Sequence, residues 1–342
     1  MKKRTLAVFV CALMIALCTA GCGKTADTAA GAESRTLENV TESQTEVPKE
    51  EKTETQKDVG ENLPETIPSP KNPEAKEKTS DTGILAVSFG TSYNDNREKT
   101  IGAIERAIGD AFPEYEMRRA FTAQMIIDKL KKRDGLEVDN VTQALERMAA
   151  DGIENLVVQP THLMDGLEYQ DVVQELKKYE NSFKKIVVGK PLLMEDEDFT
   201  AVAIAITDAT KSYDDGETAI VYMGHGTEAD SNQIYGKLQE TLKKEGFENY
   251  FIGTVEAEPT LEDVIKSMED KKAYKNVVLA PLMVVCGDHA NNDMAGEEED
   301  SWKSVLTAKG YQVECLLQGL GELKTIQEIY VNHVKEALRE LE

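Results

Sequence analysis

The sequence predicts an α/β protein of two similar doubly wound lobes, each a parallel sheet flanked by helices, facing one another across a cleft. Three observations carry this expectation. From residue 81 onward, short apolar runs alternate with longer amphipathic stretches, the pattern of repeated β-α-β units. The strand candidates are continuously apolar, as in parallel strands covered by helices on both faces. The second half also repeats the first: "ETAIVYMGHGT" (217–227) corresponds to "TGILAVSFGTS" (82–92), and "KNVVLAPLMVVCGDHANND" (275–293) corresponds to "ENLVVQPTHLMDGLEYQDV" (154–172).

Residues 1–22, "MKKRTLAVFVCALMIALCTAGC", combine a basic start, an apolar run and small residues leading into Cys22. This reads as a lipoprotein signal peptide whose lipobox ends at Cys22, although Thr19 stands where leucine is commoner. The apolar run is shorter than the roughly 20 residues of a spanning helix. The expectation is an exported lipoprotein, anchored to the membrane through lipid on Cys22 and facing outside the cytoplasm. Residues 23–80, with stretches such as "TEVPKEEKTETQKD", are too poor in large apolar side chains to offset ordering entropy and read as a disordered tether.

The N-terminal lobe is placed at 81–210. It opens with the strand "GILAVSFG" and a helix over residues 96–112, with apolar spacing through Ile101, Ile104 and Ile108. There follow "YEMRRAFT", the helices "AQMIIDKLKKRDG" and "VTQALERMAADG", the strand "IENLVVQPTHL", the helix "YQDVVQELKKYE" and the strand "KKIVVGKPLL". The C-terminal lobe, 211–342, repeats the alternation and ends in the helix "IQEIYVNHVKEALREL". Ligands of such sheets bind beyond the carboxyl ends of the strands, where "FGTS", "HLMDGLEY", "GHGT", "TVEAEP" and "GDHANND" fall.

The charge balance, 63 Asp plus Glu against 39 Lys plus Arg, argues against a nucleic-acid partner. Cys286 and Cys315 lie in apolar runs and read as buried free thiols, with a disulfide, which export would permit, as the alternative. There is no CxxC or Cys/His zinc spacing, Walker A pattern, full G-x-G-x-x-G or G-x-S-x-G elbow. A Gly-Thr turn such as "SFGTS" keeps a phosphate cradle open as a minor alternative.

Of four histidines, His162, His225 and His289 sit in strand-end loops, while His333 lies in the last helix as a surface or packing residue. His225 is flanked by glycines, and a neutral imidazole there can bind a divalent ion or accept a proton. Glu256 closes a strand in the same half. Two imidazoles and a carboxylate make an open site for a first-row ion, although spacing alone does not single out a metal.

Beyond this, "ILAVSFGTSYNDNREKTIGAIE", "RRAFTAQMIIDKL", "VVQPTHLMDGLEY", "YMGHGT", "GTVEAEPTLEDVI" and "APLMVVCGDHANNDMAGEEEDSW" resemble the anaerobic sirohydrochlorin cobaltochelatases, class II chelatases related in fold to ferrochelatase. The resemblance spans residues 82–340 and implies a chelatase-like fold and insertion of Co²⁺ into sirohydrochlorin in cobalamin biosynthesis. It implies metal ligands His225, Glu256 and His289, with His225 also the proton acceptor and Glu168 a cleft-lining acid assisting it. Co²⁺ would be the substrate metal, Fe²⁺ and Ni²⁺ remain open by ligand chemistry, and no organic cofactor is expected. A polycarboxylate tetrapyrrole calls for local positive charge, with Arg97, Lys99, Arg118 and Arg119 as candidates. The alternative is an envelope protein that binds tetrapyrrole or metal for uptake or storage without turnover. A homo-oligomer stays open.

Overall fold

The structure, a computed structural model, describes residues 80–342. The signal peptide, Cys22 and all but the end of the tether lie outside the described residues. No helix among the described residues is long and apolar enough to cross a membrane.

Two four-stranded parallel sheets form the framework. The first has the order β2-β1-β3-β4, from β1 (Thr82–Ser88), β2 (Glu116–Phe121), β3 (Asn155–Pro160) and β4 (Lys185–Val188). The second repeats it as β6-β5-β7-β8, from β5 (Thr218–Gly224), β6 (Tyr250–Thr254), β7 (Asn276–Pro281) and β8 (Gln312–Cys315). The duplication extends to register. Thr82 pairs with Asn155 and Val87 with Pro160 in the first lobe, as Thr218 pairs with Asn276 and Met223 with Pro281 in the second. Each strand-closing proline lacks an N–H, and the next residue resumes the ladder, Thr161 N to Val87 O at 2.8 Å and Leu282 N to Met223 O at 2.7 Å.

The continuously apolar strands are buried on both faces. In β1, Leu85 and Val87 pack with Leu156 and Val158 beneath α4 (Val141–Ala150) and α5 (Leu167–Lys177). In β5, Val221 and Met223 pack beneath α8 (Leu261–Lys271) and α9 (Trp302–Ala308). The opposite faces meet one shared core. Ile84 and Val157 of the first sheet join Ile220, Tyr222 and Val278 of the second through α2 (Ile101–Ala111), α6 (Asp196–Ala209), α7 (Gln233–Lys244) and α10 (Lys324–Leu341). The two lobes are therefore fused by apolar packing.

Three local features differ from the sequence expectation. The helix read over 96–112 is two, α1 (Asn94–Lys99) and α2, separated at Thr100, whose side chain is closely approached by Gly319 and whose backbone is closely approached by Gly321. A Cβ at Gly321 would lie 3.0 Å from Thr100 Cα, so a larger residue there would press on the break between the two helices. Of the two free cysteines, Cys286 is buried but Cys315 only half-buried. The last helix, α10, although read with the C-terminal lobe, lies against β3 and β4 of the first sheet, and of the two readings of His333, surface or packing, the packing one holds.

His333 is buried with Asp198 of α6: Nε2 meets Asp198 Oδ1 at 3.0 Å and Nδ1 meets Lys190 O at 3.1 Å. Both ring nitrogens face acceptors, an arrangement satisfied by a doubly protonated ring. Burial pushes the Asp198 carboxyl up, but His333 and the Glu195 and Met194 N–H groups outweigh it and hold it below the usual range. Tyr330 OH, one turn earlier, donates to Thr161 O at 3.0 Å, tying α10 to the end of β3. Replacing His333 by Ala removes the partner of Asp198 Oδ1 from a buried pair and should cost about 3 kcal/mol. Lys190→Ala, which removes a more exposed pair with Glu336, should cost less than about 1 kcal/mol. Urea denaturation at neutral pH checks both, and equal losses would contradict this ranking.

Candidate metal centre

The site is built where three neighbouring parallel strands end. β5 lies between β6 and β7, so the segments following Gly224, Thr254 and Pro281 emerge side by side. His225 is the first residue past β5. The glycines around it have separate reasons. A Cβ at Gly224 would overlap the Tyr235 ring packed beneath it. Gly226 has φ +88°, and a Cβ there would come within 2.8 Å of Ala257 N. Tyr235 OH accepts from Gly226 N at 3.2 Å and so braces the turn. Burial raises the Tyr235 phenol above its usual value, the turn's N–H groups oppose this, and the charge of Glu168 adds to the rise.

The backbone of Glu256 is fastened directly to His225, Glu256 N donating to His225 O at 2.9 Å. Thr254 Oγ1 then donates to Ala257 O at 2.5 Å, which closes the turn carrying the carboxylate. His289 arrives on the long segment after β7, at the head of a π-helical turn over Ala290–Met294. Wide turns of this kind recur at functional sites. The segment is anchored on the first lobe: Cys286 N donates to Asn96 Oδ1 at 2.9 Å, Tyr93 OH to Asp288 Oδ1 at 3.4 Å, and Val285 packs beside Ile101 and Ile127.

These elements bring His225, Glu256 and His289 together, with one potential ligand atom from each, all within 4.8 Å of one another. The two imidazole rings stand edge to face, centroids 4.6 Å apart, and Glu256 Oε2 is 3.7 Å from His225 Nδ1. His225 Nδ1 lies 2.9 Å from Gly226 O and His289 Nδ1 lies 2.7 Å from Asp293 Oδ2. A carbonyl and a carboxylate only accept, so each Nδ1 carries the proton and each Nε2 keeps a lone pair for a metal. The three side chains are 45%, 55% and 33% exposed, which leaves room for a second ligand. Two imidazoles and a carboxylate suit a divalent first-row ion held at an open site.

The pattern that defines the cobalt chelatase family (CbiK) matches residues 82–339. The chain belongs to that family. A sirohydrochlorin cobaltochelatase of Salmonella typhimurium is 38% identical over 255 residues, covering 75% of this chain and 96% of that relative. A second, from Nitratidesulfovibrio vulgaris, is 30% identical over 262 residues, covering 76% and 92%. Among solved structures, SirB from Bacillus subtilis with Fe³⁺ superposes with a TM-score of 0.54 at 15% identity, covering 76% of this chain and 97% of that one, which establishes a shared fold. The doubly wound two-lobe architecture is thus that of a chelatase.

The first lobe of this CbiK-family chain shows no equivalent cluster among the described residues. Phe89, the residue after β1, occupies the place of His225 and is 45% exposed. Glu168, eight residues past Pro160 (168 − 160 = 8), corresponds to His289, eight past Pro281 (289 − 281 = 8). Glu168 is exposed in the first turn of α5, close enough to act on the Tyr235 phenol behind His225.

Three of the four expected positive groups are already committed or buried. Arg119 is buried in a two-pronged pair with Glu105, and Arg118 bonds Glu116 and Asp151. Arg97 is buried and donates to Asn94 Oδ1 at 2.8 Å. Lys99 is exposed. Sequence alone could not separate these cases, because an arginine in a strand looks the same whether or not a carboxylate packs opposite it. Tyr235, Asn96 and Asp293 were missed; Asp293 carried one signal, its spacing four residues after His289.

His162 does not join the cluster. It is buried, and neither ring nitrogen has a hydrogen-bond partner among the described residues. Burial alone pushes its pKa down from 6.5 to about 4. Between those values the unfolded chain binds the proton and the folded one does not, so stability falls as pH drops from 6.5 towards 4, by on the order of 3 kcal/mol in full. Denaturation series at stepped pH should show a shallower decline over that window for His162→Phe than for the wild type; parallel curves would contradict a buried neutral His162.

Proposed function

We propose that this chain inserts Co²⁺ into sirohydrochlorin, as a tetrapyrrole metal chelatase. The observation that carries the reading is the convergence of His225, Glu256 and His289 at the cleft of a chain belonging to the cobalt chelatase family. The names of two relatives matched over nearly their whole length support the same substrate pair. Insertion exchanges one metal ion for two pyrrole protons, so the site must hold Co²⁺, accept protons and then release the ion. Half-exposed ligands suit release, since a closed, fully buried set would retain the metal.

In this mechanism His289 and Glu256 hold the ion while His225 serves first as ligand and then, when the metal moves to the macrocycle, as proton acceptor. The role fits a side chain on a glycine-bounded turn, with its Nδ1 proton on Gly226 O and its Nε2 free. Glu168, on the opposing lobe, receives or relays the second proton. Co²⁺ is the substrate metal, and the same donor set accepts Fe²⁺ or Ni²⁺.

The N-terminal sequence favours a second reading. "MKKRTLAVFVCALMIALCTAGC" supports export and lipid attachment at Cys22, and outside the cytoplasm the fold would serve tetrapyrrole or metal binding for uptake or storage. Absorbance changes on mixing purified full-length protein with Co²⁺ and sirohydrochlorin, beside a haem titration, separate the two: catalytic metallation is expected, and stoichiometric binding without turnover would favour the second. Under the first reading His225→Ala should lower insertion by on the order of 100-fold or more and resist rescue by excess Co²⁺. His289→Ala should be partly rescued by excess metal, because it lowers occupancy first.

A further inference from the structure

The two histidines of the centre are held by different groups. His225 Nδ1 meets a neutral backbone carbonyl, Gly226 O, at 2.9 Å. His289 Nδ1 meets a carboxylate, Asp293 Oδ2, at the shorter distance of 2.7 Å. Asp293 reaches it from within the same π-helical turn, which closes by Ala295 N donating to Ala290 O at 3.2 Å. The turn has other ties of its own: Asn291 Nδ2 donates to Gly287 O at 2.7 Å and Asn292 Nδ2 to Asp288 Oδ1 at 2.9 Å. Stability gives little reason for the His289–Asp293 contact. Its side chains are 33% and 44% exposed, and exposed pairs contribute roughly 0–1 kcal/mol. A carboxylate behind a metal-binding imidazole, by contrast, fixes tautomer and ring orientation and strengthens the donor nitrogen.

We propose that Asp293 is a positioning residue for metal capture: by accepting the Nδ1–H of His289 it holds the imidazole with Nε2 offered to the ion, making His289 the retaining ligand and the carbonyl-backed His225 the ligand that lets go. The proposal rests on the reading of His225, Glu256 and His289 as a metal centre. It also explains why "HANND" places an acid four residues after the histidine.

The test is Co²⁺ binding to the full-length protein without tetrapyrrole, by competition with a chromophoric chelator and by the visible absorption of bound Co²⁺. Asp293→Ala is expected to weaken binding about 10- to 100-fold and to alter the Co²⁺ spectrum, with an unchanged melting midpoint. Asp293→Asn keeps an oxygen acceptor without the charge and should fall between Ala and wild type. Asn292→Ala removes a different tie in the same turn and should bind within about twofold of wild type. Wild-type affinity and spectrum in Asp293→Ala, or equal losses in Asn292→Ala and both Asp293 variants, would overturn the assignment. His225→Ala and His289→Ala run alongside: if these too bind Co²⁺ like wild type, the metal centre itself fails, whereas loss in them with retention in Asp293→Ala removes only the positioning role.

Discussion

The centre depends on the adjacency of three parallel strands. Hydrogen-bonded strands lie about 4.8 Å apart, so residues just past the ends of β6, β5 and β7 start close together before any side chain is chosen. Glu256 N bonded to His225 O extends that adjacency one step beyond the sheet. Because all three segments are parallel, they leave on the same edge, and their polar side chains collect where backbone pairing has ended. An antiparallel neighbour would have sent one of the three to the far side.

Strand adjacency does not place His289, which lies eight residues beyond its strand. Its position comes from contacts across the lobes, where Asn96 and Tyr93 of the first lobe hold the backbone and side chain of the 286–288 segment. The lobes in turn keep their relative placement through the shared apolar core and through α10, whose Tyr330 bonds Thr161 O just past β3 and whose His333 meets Lys190 O just past β4. Packing far from the candidate site thereby supports the position of His289.

The duplication shows what the two lobes came to do separately. The second lobe carries histidine, glutamate and histidine at its strand ends. At matching places the first has the exposed aromatic Phe89 and the acid Glu168. Under the proposed function, the second lobe's donor set would hold the ion until it passes to the macrocycle, and Glu168 of the first lobe would take part in moving the protons that the ion displaces. The buried Arg119–Glu105 pair belongs to the scaffold, since a guanidinium matched by a carboxylate has no free charge to offer a ligand.

Much of this was legible in the chain itself. Strand and helix alternation, burial of strands on both faces and the repeat of 82–92 in 217–227 follow from local apolar pattern, which a sequence states directly. The glycines flanking His225 were visible in the sequence too, and they permit the close backbone approach found there. What sequence could not state were long-range pairings: Arg118 with Asp151, His333 with Asp198, Cys286 with Asn96. Each joins residues more than thirty positions apart, and which charge meets which is decided only when the helices pack. For the same reason His162, alike in sequence to His225 and His289 as a strand-end histidine, is buried and apart from them. Local pattern determined the elements and their order; the choice of which polar side chains face the cleft was left to tertiary packing, because burial and partner are properties of a place in space and not of a position along the chain.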